Sequence, residues 1–238
     1  MLKIIKILIK KIFPSNMVNR VFETLNIHFD RFSIKSYSQE GEDLILNRIF
    51  EQRSSGYYID IGAHHPLRFS NTYLFYSRGW RGLCIDPSHE AIALFKRKRP
   101  RDVALEMGVS NQESELTYYM FDEPALNTFS ESLADQRVKT TAYKRIGTRS
   151  VPVRPLKKIL DEVLLPGTVI DFMTIDVEGL DYQVLESNDW SKYRPRIVLA
   201  EALDDEAGER IRSFMAMHHY KVIARTFNTE FYEDGLKP

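Results

Sequence analysis

The sequence of 238 residues contains one cysteine, Cys84, so no intrachain disulfide can form. Cys84 lies in the apolar run Leu83-Cys84-Ile85, where a thiol packs as a small apolar group, and its isolation suits a reducing compartment. Glycine is sparse, 11 residues in all, and no G-x-G-x-x-G turn joins an apolar run to a helix; that argues against a pyrophosphate cradle and against NAD. Charge of one sign is not in excess: Lys plus Arg and Asp plus Glu number 33 each, so no global field recruits nucleic acid. Uninterrupted apolar stretches long enough to span a bilayer are missing, as is the uncharged core with a small-residue cleavage site that marks a secretory signal. His and Cys show none of the clustered spacing of a zinc site. These absences leave a cytoplasmic α/β protein as the expectation.

The first residues carry an uneven charge. Lys3, Lys6, Lys10 and Lys11 precede the first acid, Glu23, while Leu2, Ile5, Ile9 and Ile12 share one helical face. Residues 1–35 therefore read as an amphipathic helical extension broken at Pro14, followed by a domain over 36–238. Two readings of residues 2–13 stay open. They can lie on an anionic surface, which would make the protein peripheral at the inner membrane, or pack on their own domain or a partner. Oligomeric state is not legible.

From Tyr57 onward, strand and helix patterns alternate. Strands are predicted near Tyr57–Ile61, Gly82–Ile85, Val103–Met107, Leu116–Phe121, Ser150–Val153, Val169–Ile175, Arg196–Ala200, Tyr220–Arg225 and Glu230–Tyr232. Helices fall near Thr72–Ser77, Ser88–Lys98, Leu156–Val163, Tyr182–Ser187 and Asp205–His218, with a further one capped by Ser38 and running to Phe50. This pattern predicts a doubly wound, mostly parallel, seven-stranded Rossmann-like sheet ending in an antiparallel hairpin. Pro124 to Arg149 has weak periodicity and reads as a long excursion over the active-site edge.

Such sheets bind ligands beyond the carboxyl ends of their strands. Asp60, Asp86, Asp176 and Glu201 fall at those ends. One strand ends in Asp60-Ile61-Gly62-Ala63, and the next, one crossover later, ends in Asp86-Pro87, suited to grip ribose hydroxyls. A turn with one glycine suits S-adenosylmethionine (SAM) better than a dinucleotide. On this reading Asp60, Gly62, Ala63 and His64 approach the methionine part, Asp86 and Pro87 the ribose, and Met107, Gly108 and Val109 the adenine. Ser70, Asn71 and Thr72 would open a helix toward the SAM carboxylate, and Asp176 would face its amine. His65 and Glu178 are the favoured bases for removing a hydroxyl proton. Asp176, Glu178 and Glu201 could present three oxygens to a hard cation, a reading left open but not favoured.

Five segments in order resemble the FkbM-type methyltransferases, a branch of the class I SAM-dependent enzymes. They are Tyr37 to Asp43, Ile59 to Pro66, Ser70-Asn71-Thr72, Gly79 to Gly82 and Thr174 to Gly179. The resemblance implies SAM as donor, with Gln39 of the upstream motif folded over it, and a hydroxyl on a sugar, glycolipid or secondary metabolite as acceptor, hence carbohydrate modification. The alternative is a non-catalytic SAM-binding or scaffold protein that docks through its N-terminal helix. Acceptor recognition is expected in the excursion, with Arg137, Lys139, Lys144 and Arg145 available to a phosphate or uronate.

Overall fold

The computed structural model describes residue 9 and residues 13–28, 33–51 and 53–236. Two compact units divide the chain, Met1–Ser36 and Tyr37–Pro238. In the first, helix α1 (Ser15–His28) starts directly after Pro14, whose fixed φ and missing N–H suit a helix start. Phe13, Met17 and Val21, four residues apart, are each about half exposed. The amphipathic stretch 2–13 lies outside the described residues, Ile9 and Phe13 excepted. No helix among the described residues is long and apolar enough to cross a membrane.

The second unit opens with α2 (Glu42–Ile49), β1 (Tyr57–Ile61), α3 (Tyr73–Ser77), β2 (Arg81–Asp86), α4 (His89–Lys98) and β3 (Val103–Glu106). A small lobe follows: β4 (Gly108–Val109), β5 (Ser114–Phe121), α5 (Glu131–Thr140) and β6 (Arg145–Arg154). The chain then returns through α6 (Leu156–Val163), β7 (Phe172–Ile175), α7 (Asp181–Glu186), β8 (Ile197–Glu201), α8 (Asp205–Met217), β9 (Tyr220–Arg225) and β10 (Thr229–Asp234).

The seven-stranded sheet has the order β3-β2-β1-β7-β8-β10-β9, parallel except for β10, which runs antiparallel to both neighbours. The order reverses between β1 and β7, which opens a crevice at their carboxyl ends. Alternation along β1 sends Ile59 and Ile61 to one face, against α6, α7 and α8, and Tyr58 to the other, against α2, α3 and α4. Both faces are covered, and each fully buried large apolar side chain contributes about 1.5–3 kcal/mol. Cys84 is wholly buried on the Tyr58 face, as its neighbours predict.

Three expectations change. The strands read at Leu116–Phe121 and Ser150–Val153 leave the main sheet and form a second one, β4-β6-β5. The excursion is not irregular: it holds α5 and the first half of β6. Helix α5 escapes periodicity because it buries only Ala134 and Arg137, yet Ser130 caps it by accepting from Leu133 N at 3.3 Å. Finally, α2 starts later than read, with Gly41 at φ 90° in its N-cap position, although Ser38 Oγ still accepts from the first-turn Asp43 N at 3.2 Å. The freed acids do other work. Asp43 accepts from Ser38 Oγ at 2.9 Å and Tyr37 N at 2.8 Å. Glu40 Oε2 accepts from Phe227 N at 2.8 Å, and Glu42 Oε1 from Thr226 Oγ1 at 3.2 Å, tying this segment to the β9–β10 turn.

Candidate functional site

A cleft of about 830 Å³ opens where the strand order reverses. Four strand ends supply its floor: Gly62 and His64 after β1, Asp86 and Pro87 at β2, Met107, Gly108 and Val109 after β3, and Asp176 and Glu178 after β7. Gln39 from the segment before α2 also lines it. The roof comes from residues the sequence reading missed or placed elsewhere, namely Phe69, Tyr118, Asn127 and Phe129. Phe129 packs on Tyr118 with ring centroids 4.9 Å apart. It reaches over Gly108, where a Cβ would stand 2.8 Å from the Phe129 ring. Phe129 belongs to the excursion in which acceptor recognition is expected, and it covers the end of β3.

Gly62 has a reason of its own. At φ 81° a Cβ would stand 1.7 Å from the Asp176 carbonyl oxygen, because β1 and β7 converge where Asp176 N donates to Ile61 O at 3.0 Å. Asp86 is buried and accepts one N–H on each oxygen, from Ser88 at 2.7 Å and His64 at 2.8 Å. Burial pushes its carboxyl up to about 6 against those bonds.

Several expected site residues lie elsewhere. Asp60 shares the Tyr58 face, accepts from Thr72 Oγ1 at 2.6 Å and does not line the cleft; burial pushes it up to about 6. Ala63 is buried in the core. Ser70 Oγ accepts from Tyr73 N at 3.1 Å, and Asn71 Nδ2 donates to Thr174 Oγ1 at 2.9 Å, so Ser70, Asn71 and Thr72 brace the chain beneath the cleft. Behind them Arg99, wholly buried, donates to Asp102 at 2.7 Å, Tyr58 Oη at 2.8 Å, Thr72 Oγ1 at 3.0 Å and the Pro66 carbonyl at 3.4 Å.

The two adjacent histidines separate. His65 lies off the cleft, and its Nδ1 accepts from Leu67 N at 3.0 Å and Arg68 N at 2.9 Å. Its proton therefore sits on Nε2, which leaves no free lone pair for a base, contrary to the sequence reading. His64, at φ 50°, turns into the cleft and stacks on Phe69 at 6.2 Å. Its buried Nε2 has no partner among the described residues, and burial pulls the ring down to about 4, so it is neutral at pH 7.

Carboxylates close the far end. Asp176, Glu178 and Glu201 each bring an oxygen within 4.8 Å of the others, a set that could hold a hard cation or an ammonium group. Asp181 lies beside them and accepts from Val177 N at 3.3 Å and Gly179 N at 3.2 Å. Glu178 sits at φ 55°, held by an ion pair with the buried Arg137 and by Thr128 Oγ1 donating to its carbonyl at 2.7 Å. Glu201 Oε2 has no donor among the described residues, and its neighbour Asp176 is another acid. Loss of solvation and mutual repulsion raise Glu201, which is half-buried, and Asp176, which is still open to solvent in the cleft, well above the usual carboxylate range, so the pair retains a proton. Of the excursion cations expected to meet an anion, Arg137 is taken by Glu178 and Arg145 by Asp135 at 3.0 Å.

Residues 60–222 match the methyltransferase FkbM domain. The chain belongs to the FkbM methyltransferase family. The family is SAM-dependent, in keeping with an α/β sheet whose crevice lies at the β1/β7 reversal. The FkbM fold here is similar to that of the FkbM methyltransferase of Methylobacillus flagellatus, at 12% identity and a TM-score of 0.51. That match covers 83% of this chain and 48% of the other, so this chain spans about half that protein's length. Weaker likenesses join it to a TehB-like SAM-dependent methyltransferase of Corynebacterium glutamicum (10% identity, TM-score 0.42, 93% and 100% coverage). A precorrin-6y C5,15-methyltransferase of Geobacter metallireducens also resembles it (9% identity, TM-score 0.43, 84% and 90% coverage). No curated protein matches the sequence.

The raised carboxyls of this FkbM domain give stability a definite pH slope. Asp181, pushed up to about 7 chiefly by burial, holds its proton in the folded state but releases it near 3.9 when unfolded. Its stabilising contribution is fully present below about 3.9, declines as pH rises and is lost above about 7. His64 opposes this only below its unfolded pKa of about 6.5. The melting temperature is therefore expected to fall between about pH 6.5 and 8 in the wild type and to fall less in Asp181→Asn, as read by calorimetry. A rise over that window would contradict the burial of these acids.

Proposed function

We propose that the chain transfers the methyl group of SAM to a hydroxyl of a sugar, glycolipid or related metabolite. The observation that carries this reading is a cleft at the strand reversal that ends on a proton-holding carboxylate cluster. SAM, when bound, supplies a methyl group already activated by its sulfonium charge; orientation and removal of one proton are left to the protein.

The residues present fit that donor. Each Asp86 oxygen accepts one backbone N–H and keeps a lone pair for a ribose hydroxyl. Tyr118 and Phe129 offer aromatic surface to a flat base above Gly108, and the unpartnered His64 Nε2 offers a polar contact. Asp176 suits the ammonium group, leaving Glu178 and Glu201 near the acceptor. A cation arriving at the cluster would draw protons off it.

Calorimetry is expected to show S-adenosylhomocysteine binding and no binding of NADH, with protons released in proportion to buffer ionisation. Asp86→Ala should weaken that binding by about tenfold or more, the loss of charge-assisted hydrogen bonds worth roughly 1.5–3 kcal/mol. Unchanged affinity in Asp86→Ala would remove the ribose assignment. Incubation with SAM and nucleotide sugars or lipid-linked glycans, followed by S-adenosylhomocysteine release, tests the acceptor class.

A further inference from the structure

We propose that a second cavity, reached through the carboxylate cluster, is the acceptor subsite, and that it takes a hydroxylated compound bearing an anionic group. This rests on the methyl-transfer reading above. The cavity, about 1100 Å³, lies between the start of α5, the turn at Gly179 leading into α7, and α8. Asp176 and Glu178 face the first cleft, whereas Glu201, Asp181 and Gly179 face the second. Since oxygens of Asp176, Glu178 and Glu201 all lie within 4.8 Å of one another, one layer of carboxylates separates the two spaces. Methyl transfer needs the attacking oxygen roughly 3–3.5 Å from the methyl carbon and in line with the breaking bond. An acceptor anchored in the second space meets that distance by extending its hydroxyl past the Glu201 side chain into the first cleft. The cavity beside Trp190 and His218 contains none of these three carboxylates.

The lining has the chemistry of a polar acceptor. The side chains of Gln136, Gln183 and Tyr182 make no hydrogen bond among the described residues, so two amides and a phenol are open to hydroxyl groups. Asp204, in contrast, is engaged as the cap of α8, accepting from Ala207 N at 2.8 Å. Arg210 is held with its guanidinium 4.3 Å from the centre of the Tyr182 ring and makes no ion pair among the described residues. Arg68, Arg137 and Arg145 are paired with Glu123, Glu178 and Asp135, whereas Arg210, in the lining of this cavity, keeps its fork free for a carboxylate or phosphate.

The acceptor's hydroxyl end then points at Glu201, the group common to this cavity and the cluster. An oxygen lone pair forms the new C–O bond as the C–S bond breaks. That electron pair stays on sulfur, giving S-adenosylhomocysteine, and the hydroxyl proton passes to Glu201 once the donor's positive charge has drawn Glu201's own proton off.

The test uses the full chain, SAM labelled in its methyl group, and a deproteinised extract of the cells that carry the gene. Ala207→Trp, which fills the cavity from α8, should abolish labelling while calorimetry shows wild-type S-adenosylhomocysteine affinity. Arg210→Met should reduce labelling about tenfold at limiting extract, the loss of one charge-assisted pair, again with donor affinity intact. The labelled wild-type product should bind an anion exchanger. Full labelling by Ala207→Trp overturns the subsite, and so does a parallel loss of S-adenosylhomocysteine affinity, which would assign the cavity to the donor. A product that carries no anionic group overturns the role given to Arg210. If the wild type labels nothing, methyl transfer itself fails and the subsite goes with it.

Discussion

Gly62→Ala is expected to cost about 3–5 kcal/mol of stability, among the larger effects of a single substitution, and to remove S-adenosylhomocysteine binding. Two terms add. The residue sits at φ 81°, where an L side chain is strained, and the new Cβ would fall 1.7 Å from a backbone oxygen. That oxygen belongs to Asp176, so relief requires β1 and β7 to separate at their carboxyl ends, where the cleft begins. A flexible side chain could step aside; a strand end paired into a sheet cannot. Chemical denaturation and calorimetry on the purified variant measure both consequences. Wild-type stability would mean that the two strand ends do not converge as described.

The second large effect belongs to Arg99. Its guanidinium is wholly buried and pairs with Asp102, which also accepts from Tyr58 Oη at 2.8 Å and Gly82 N at 2.9 Å. Arg99→Met keeps the volume but strands the Asp102 charge, which should cost about 3–5 kcal/mol. For a protein of this size that lowers the melting temperature by roughly 10 °C. The double variant Arg99→Met, Asp102→Leu should recover part of the loss, because replacing both partners of a buried pair is far less costly than removing one. If the double variant is less stable than Arg99→Met by the full cost of a second deletion, the pair does not act as a unit.

Arg99 also marks where sequence reading stops. It closes the run Lys96-Arg97-Lys98-Arg99, which reads as a solvated basic face, and nothing local separates the fourth cation from the first three. The strands were legible because apolar runs ending in Asp or Glu punctuate them, and so were the strand ends that meet at the crevice. Side-chain direction was not. Asp60 and Ile61 differ by one position in a two-residue repeat, and only the packing of β1 decides that Asp60 turns toward Thr72. The same holds for His64 and His65, which only a left-handed backbone at His64 tells apart. The small lobe stayed hidden for another reason. Its helix has two buried residues and its long strand β6 alternates exposed polar positions, so neither shows the apolar period that identifies a core element.

The clamp that Glu40 and Glu42 place on the β9–β10 turn joins parts of the chain almost two hundred residues apart. Gln39, at the rim of the cleft, is the immediate neighbour of that clamp. A deletion that takes this hairpin away would thus loosen a grip on the opposite end of the domain, so affinity for the methyl donor becomes a gauge of how intact the hairpin is. Trimming the last hairpin is an edit to the cofactor site made from a distance.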